Sequence, residues 1–309
     1  HRLTTNFLLF FVNLRAQNMN SAMLKIVECP RDAMQGLPEF IETKVKAAYI
    51  NSLLKVGFDT IDFGSFVSPA AIPQLRDTEQ VLGMIDKGES ATRLLSIIAN
   101  IRGAEKAASF DLVDCLGYPH SVSPSFLKKN INSNTEKSLD TISEMLEICD
   151  KQNKELVVYL SMGFGNPYND EWSVNIVEDS VGQLSELGVT SIPLSDTIGV
   201  SKPEHIANTF ARVVGAYPDI EFGFHLHTNL TDWHDQIDAA YKNGCRRYDT
   251  VILGLGGCPM AEQHDLAGNM KTVNLIEYLE EQGETTDINK NAFEDAYIKS
   301  LVTFHNFLS

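Results

Sequence analysis

The sequence predicts an α/β fold, a (β/α)8 TIM barrel with additional C-terminal helices. Three observations carry that expectation. From residue 24 onward, short β-rich runs alternate with longer stretches of helical period, the mark of βα units around a parallel sheet. The runs number eight, at 24–28, 60–63, 93–98, 111–116, 155–160, 191–194, 221–225 and 247–251. The sequence has no GxGxxG turn and no GxxxxGK motif, which a doubly wound nucleotide-binding sheet of this length would be expected to carry.

The helical stretches follow in order, at about 42–56, 76–85, 102–108, 135–153, 173–187, 202–215 and 231–243, with two more closing the chain at about 271–282 and 291–307. Their punctuation is physical. Ser201 precedes Pro203 at one helix start, and Gly57, Gly188 and Gly244 follow helix ends, where a left-handed residue stops the helix. Before the barrel, residues 1–22 hold one apolar run, "NFLLFFVNL", after Arg2. It is too short to span a bilayer, and no small-x-small cleavage site follows. We read 1–22 as an N-terminal extension, either a translated upstream region or a weak presequence, with a native start at Met19 or Met23. Residues 23–309 are then a single catalytic domain.

Composition narrows the function. Hydrophobic residues make up 43% of the 309, enough for a sizeable core. A net charge of −16 argues against nucleic acid or an anionic membrane as partner, so an anionic substrate must be held by a few local cations. The five cysteines are odd in number and lack CxxC spacing, which fits a reducing, cytoplasmic compartment without a disulfide framework.

In a barrel of this kind the chemistry sits at the C-terminal ends of the strands. Strand one ends in "VECPRDAMQG", delivering Arg31, Asp32 and Gln35. Strand two ends in "IDFGSF", with Asp62 and Ser65, and strand six in "LSDTIG", with Asp196 and Thr197. Strand seven runs into "FHLHTN", where His225 and His227 share one face because alternate strand residues point the same way. Asp196 has a second reading, a carboxylate that caps its own turn. Asp32, His225 and His227 form a two-histidine, one-carboxylate set, with Asn269 as a neutral oxygen for a fourth position. Such mixed ligation suits Mg²⁺ or Mn²⁺ with open sites; catalytic zinc and non-haem iron use related sets. Cys258, in "GLGGCPM", sits on a glycine-rich loop as a lid-borne acid. The other four cysteines read as inert core.

Taken together, "KIVECPRDAMQG", "IDFGSFVSP", "LKKNIN", "LSDTIG", "FHLHTN" and "GLGGCPMAEQHDLAGN" resemble the 3-hydroxy-3-methylglutaryl-CoA lyases of the DRE-TIM metallolyase superfamily. The resemblance implies cleavage of 3-hydroxy-3-methylglutaryl-CoA to acetoacetate and acetyl-CoA through a thioester enolate. By the same resemblance Asp32, His225, His227 and Asn269 are the metal ligands, Arg31 neutralises the enolate and Cys258 protonates it. Gln35, Ser65, Asp196 and Thr197 fall at pocket positions, as does Asp62, and a homodimer is implied. Lys128 and Lys129, placed on a long loop after strand four, are the expected cations for the CoA phosphates. Three departures stand out: Asp62 where the family carries Glu, Thr228 where Asp is usual, and a Cys258-to-Asn269 loop about two residues longer than the family's. The late "TFHNFLS" has no counterpart of the family's CoA-contacting segment. Competing functions are a Claisen-type acyltransferase of the isopropylmalate or homocitrate synthase type, a 4-hydroxy-2-oxo acid aldolase, and a barrel that binds metal without catalysis.

Overall fold

Eight parallel strands close on themselves in the computed structural model, which describes residues 23–257 and 268–308. They are β1 (Lys25–Glu28), β2 (Thr60–Ser65), β3 (Arg93–Ile97), β4 (Cys115–Ser121), β5 (Glu155–Ser161), β6 (Ser191–Asp196), β7 (Glu221–Thr228) and β8 (Arg247–Thr250). Each pairs with the next, β1 pairs with β8 and β6 with β7, so the ring has no open edge. The fold is the (β/α)8 barrel that the sequence predicts. A two-residue strand, β9 (Gly268–Asn269), adds antiparallel to β7. The extension over 1–22 and Cys258 lie outside the described residues.

The helices are α1 (Pro30–Gln35), α2 (Thr43–Leu53), α3 (Thr78–Leu82), α4 (Ile101–Ala108), α5 (Pro124–Ile131), α6 (Thr135–Gln152), α7 (Val174–Glu186), α8 (Pro203–Ala216), α9 (Trp233–Lys242), α10 (Thr272–Glu281) and α11 (Lys290–Thr303). None of the described helices is long and apolar enough to cross a membrane. Two depart from expectation. Both α1 and α5 start on a proline, which fixes φ where no backbone donor is needed. In α5 the Ser123 side chain accepts from Phe126 N at 3.1 Å, and Asn132 ends the helix at φ 50°. Lys128 and Lys129 therefore sit on the last turn of a helix, not on a loop, because a complete cap makes eight residues helical.

Strand four also shifts, from the predicted 111–116 to Cys115–Ser121. Gly117 and Pro119 read as breakers in the sequence. Pairing with β3 stops at Gly117, whose carbonyl accepts from Ile98 N at 2.9 Å. Beyond it the strand pairs with β5 alone, as at an edge, where a proline without a donor is tolerated.

Two cores result. The larger lies between strands and helices and includes the Phe164, Phe210 and Phe224 rings, with Phe210 and Phe224 edge-to-face at 5.4 Å. A smaller plug of Leu95, Cys115, Val157 and Tyr159 forms a separate cluster on β3, β4 and β5. Burying each large apolar side chain contributes roughly 1.5–3 kcal/mol. Cys29, Cys115, Cys149 and Cys245 are buried free thiols, as expected of core residues.

Candidate metal centre

Alternation along β7 decides the site. Phe222, Phe224 and Leu226 pack into the outer core, so His225 and His227 turn to the barrel interior. His225 Nδ1 lies 3.0 Å from Asp249 Oδ2, and His227 Nδ1 lies 2.8 Å from the Thr197 carbonyl. Both partners are acceptors, so each Nδ1 carries the proton and each Nε2 presents a bare lone pair. Those two Nε2 atoms face each other at 3.2 Å. Asp32 Oδ2 stands 3.8 Å from His227 Nε2, and the three ligand atoms lie within 4.8 Å of one another. Three converging lone-pair donors repel one another unless a cation sits among them. The residues present fit a divalent ion.

Asp32 and Arg31 arrive from β1 on α1, two strands around the ring from β7, and only closure brings them together. Arg31 is buried. Its Nε and Nη2 donate to Asp62 Oδ2 at 2.9 and 2.6 Å, and its Nη1 to Asp32 Oδ1 at 3.0 Å and Gln35 Oε1 at 2.8 Å. Gln35 Nε2 also donates to Asp32. Burial alone would raise the Asp32 carboxyl, but Arg31 and the two histidines hold it well below the usual carboxylate range. Burial pushes Asp62 up to about 6 despite Arg31, and its Oδ1 has no hydrogen-bond partner among the described residues. For His225 burial opposes protonation, yet the Asp249 contact raises its pKa.

Asn269 comes in on β9. Its amide nitrogen donates to Asp32 Oδ2 at 2.6 Å and to the Leu255 carbonyl at 2.9 Å, so here it meets Asp32 as a donor. The approach requires glycine in "GLGG". Gly256 has φ 93°, and a Cβ there would lie 2.6 Å from the Asp32 carbonyl oxygen and 2.9 Å from Asn269 Nδ2.

The other predicted residues divide. Thr197 Oγ1 accepts from Met162 N at 2.8 Å while its carbonyl orients His227. Both Asp196 oxygens accept backbone N–H groups, from Val200 at 3.0 Å and Ser201 at 2.8 Å, so Asp196 caps its turn. Ser65 is buried on the Ile97 carbonyl at 3.1 Å. Thr228 donates to Gln236 Oε1 at 2.6 Å, a neutral contact where the family resemblance implies a carboxylate. Lys128 and Lys129 are exposed, Lys129 Nζ 4.6 Å from the Tyr168 ring centroid. Two residues escape sequence reading. Asp249 was findable, since Arg247 and Asp249 in "RRYDT" repeat the two-residue spacing of the histidines. Glu28 lacked any signal. It is fully buried, accepting from Ile252 N at 2.9 Å and Thr272 Oγ1 at 2.6 Å, and burial pushes it up to about 8.

A closed barrel with carboxylate and imidazole donors and a guanidinium gathered inside it is the arrangement of a barrel enzyme whose site can take a divalent ion. The HMGL-like family model matches residues 24–299, and the chain belongs to that family, whose members are enzymes. It is 30% identical over 259 residues to a hydroxymethylglutaryl-CoA lyase of Bacillus subtilis, covering 84% of this chain and 85% of the relative. It is 27% identical over 272 residues to an (R)-citramalyl-CoA lyase of Chloroflexus aurantiacus, covering 85% of each. The structure of an HMG-CoA lyase from Acinetobacter baumannii in complex with coenzyme A and 3-methylmalate matches with a TM-score of 0.84 at 29% identity, covering 92% of both chains.

Proposed function

We propose that this enzyme cleaves 3-hydroxy-3-methylglutaryl-CoA to acetoacetate and acetyl-CoA with a bound Mg²⁺ or Mn²⁺. The observation that supports this best is the convergence of Asp32, His225 and His227 beside Arg31. When bound, the ion supplies Lewis-acid polarisation of the substrate's hydroxyl and carbonyl oxygens. The hydroxyl proton passes to His225, whose Nδ1 is backed by Asp249, as the C2–C3 bond breaks, and the bonding electrons pass to the thioester. Arg31 faces the negative charge that develops on the thioester oxygen, where a fixed guanidinium stabilises the transition state most. Cys258 then returns a proton to C2. Lys128 and Lys129 receive the CoA phosphates, and the enzyme works as a homodimer.

Citramalyl-CoA is the second reading, supported by the Chloroflexus relative. Incubation of the purified protein with each thioester and Mn²⁺, following acetyl-CoA release, decides between them. Absence of release from either, with folded protein, refutes both. Cys258→Ala is expected to reduce turnover on the order of a hundredfold as the acid is lost. Unchanged thioester turnover takes Cys258 out of the chemistry, and turnover of a 4-hydroxy-2-oxo acid in place of either thioester points to the aldolase.

A further inference from the structure

We infer that Arg247, at the floor of the barrel, is a positioning residue for the metal centre that acts through Asp249 on His225. The inference rests on reading Asp32, His225 and His227 as the ligands.

Arg247 is 1% exposed, an unusual place for a guanidinium. The strand beside it makes room. A Cβ on Gly223 would lie 3.1 Å from Arg247 Cδ and 3.2 Å from Cγ, so glycine at that point of β7 lets the stem pass. At the floor, Nη1 reaches Glu221 Oε1 at 3.1 Å and Ser191 Oγ at 3.3 Å, and Lys25 pairs with Glu221 from the side. At the upper end Nε stands 3.9 Å from Asp249 Oδ1.

The charges explain why a cation belongs there. Asp32, Asp62 and Asp249 all reach the same interior, and Arg31 is shared between Asp32 and Asp62. Among the described residues, Arg247 is the one Arg or Lys paired with Asp249. A buried carboxylate without a counter-charge is costly and would turn away or draw in another partner. The Arg247 charge faces Asp249 Oδ1 across 3.9 Å, with neither Nε nor Oδ1 hydrogen-bonded among the described residues, and leaves Oδ2 to His225 Nδ1 at 3.0 Å. That contact fixes the imidazole tautomer and aims Nε2 at the ligand cluster. The chain Glu221–Arg247–Asp249–His225 thus carries the barrel floor's geometry to its mouth.

The test measures Mn²⁺ affinity of the full chain by electron paramagnetic resonance of free Mn²⁺, alongside thermal unfolding in EDTA. Arg247→Met keeps the volume and removes the charge. We expect Mn²⁺ binding weakened about tenfold, with Arg247→Lys retaining most of it. Gly223→Ala, which pushes the stem while keeping the charge, is expected to fall between. A lower unfolding temperature in Arg247→Met with wild-type Mn²⁺ affinity overturns the inference, because a purely structural arginine does that. If Arg247→Met does not fold, Gly223→Ala and Arg247→Lys decide, and wild-type affinity in both overturns it. Asp32→Asn separates this from the underlying reading. If that variant binds Mn²⁺ as the wild type does, the ligand assignment itself is wrong.

Discussion

Arg31 Nη2 lies 2.6 Å from Asp62 Oδ2 while Nη1 lies 3.0 Å from Asp32 Oδ1, so one guanidinium joins two buried carboxylates. Of its five N–H groups, four are committed to Asp62, Asp32 and Gln35, and one on Nη2 has no partner among the described residues. Arg31→Met should lower turnover on the order of a hundredfold or more. It should also destabilise the fold by about 3 kcal/mol, because Asp62 loses its partner. Arg31→Met/Asp62→Asn should recover the stability and not the turnover. Denaturant titration beside steady-state kinetics checks both, and recovery of turnover would remove Arg31 from the chemistry.

Metal binding should appear in stability. At a Mn²⁺ concentration about a hundred times the Kd, linkage adds about 2.7 kcal/mol, which EDTA should reverse. His227→Ala should abolish the Mn²⁺-dependent rise in Tm, on top of a lower Tm in EDTA from the lost Thr197 contact and the space left behind. A rise that survives His227→Ala would place the ion elsewhere.

Glu28 sets a pH dependence. Its carboxyl titrates at about 8 when folded, against 4.5 in the unfolded chain, so the folded state binds the extra proton between those values. The contribution is therefore fully present below pH 4.5 and is lost as pH rises toward 8, at about 1.4 kcal/mol per unit. Glu28→Gln keeps an oxygen for Ile252 N and an amide for Thr272 and cannot ionise. Its stability relative to wild type should climb across that window, and a flat difference would contradict the protonated state.

The helix-borne lysines should affect binding alone. Lys128→Ala/Lys129→Ala is expected to raise KM for the thioester about tenfold with kcat unchanged, the worth of one lost charge-assisted contact. No change in KM would send the CoA phosphates to another part of the rim.

Strand-end residues were legible because period-two alternation and the barrel rule are both local signals. The pairing of Asp32 with His225 and His227 needed only ring closure in addition. The position of β4 was hidden, since Gly117 and Pro119 oppose a strand by propensity; Pro119 is tolerated because β3 no longer runs alongside, and Gly117 fits where a Cβ would lie 2.6 Å from Ile97 Cδ1. Asp196 kept two readings in sequence, and its two backbone contacts favour the cap. Glu28 was invisible for another reason. A buried acid with threonine partners from 250 and 272 looks, in sequence, like any polar strand end.

The short β9 strand has an evolutionary consequence. His227 pairs with Asn269 and Val251 bridges to Lys271, so the chain is sewn down just before and just after the Cys258 segment. Residues can be inserted or deleted between those stitches without dragging Asn269 away from Asp32. The length of this stretch can therefore change in evolution while Asn269 and Asp32 keep their contact.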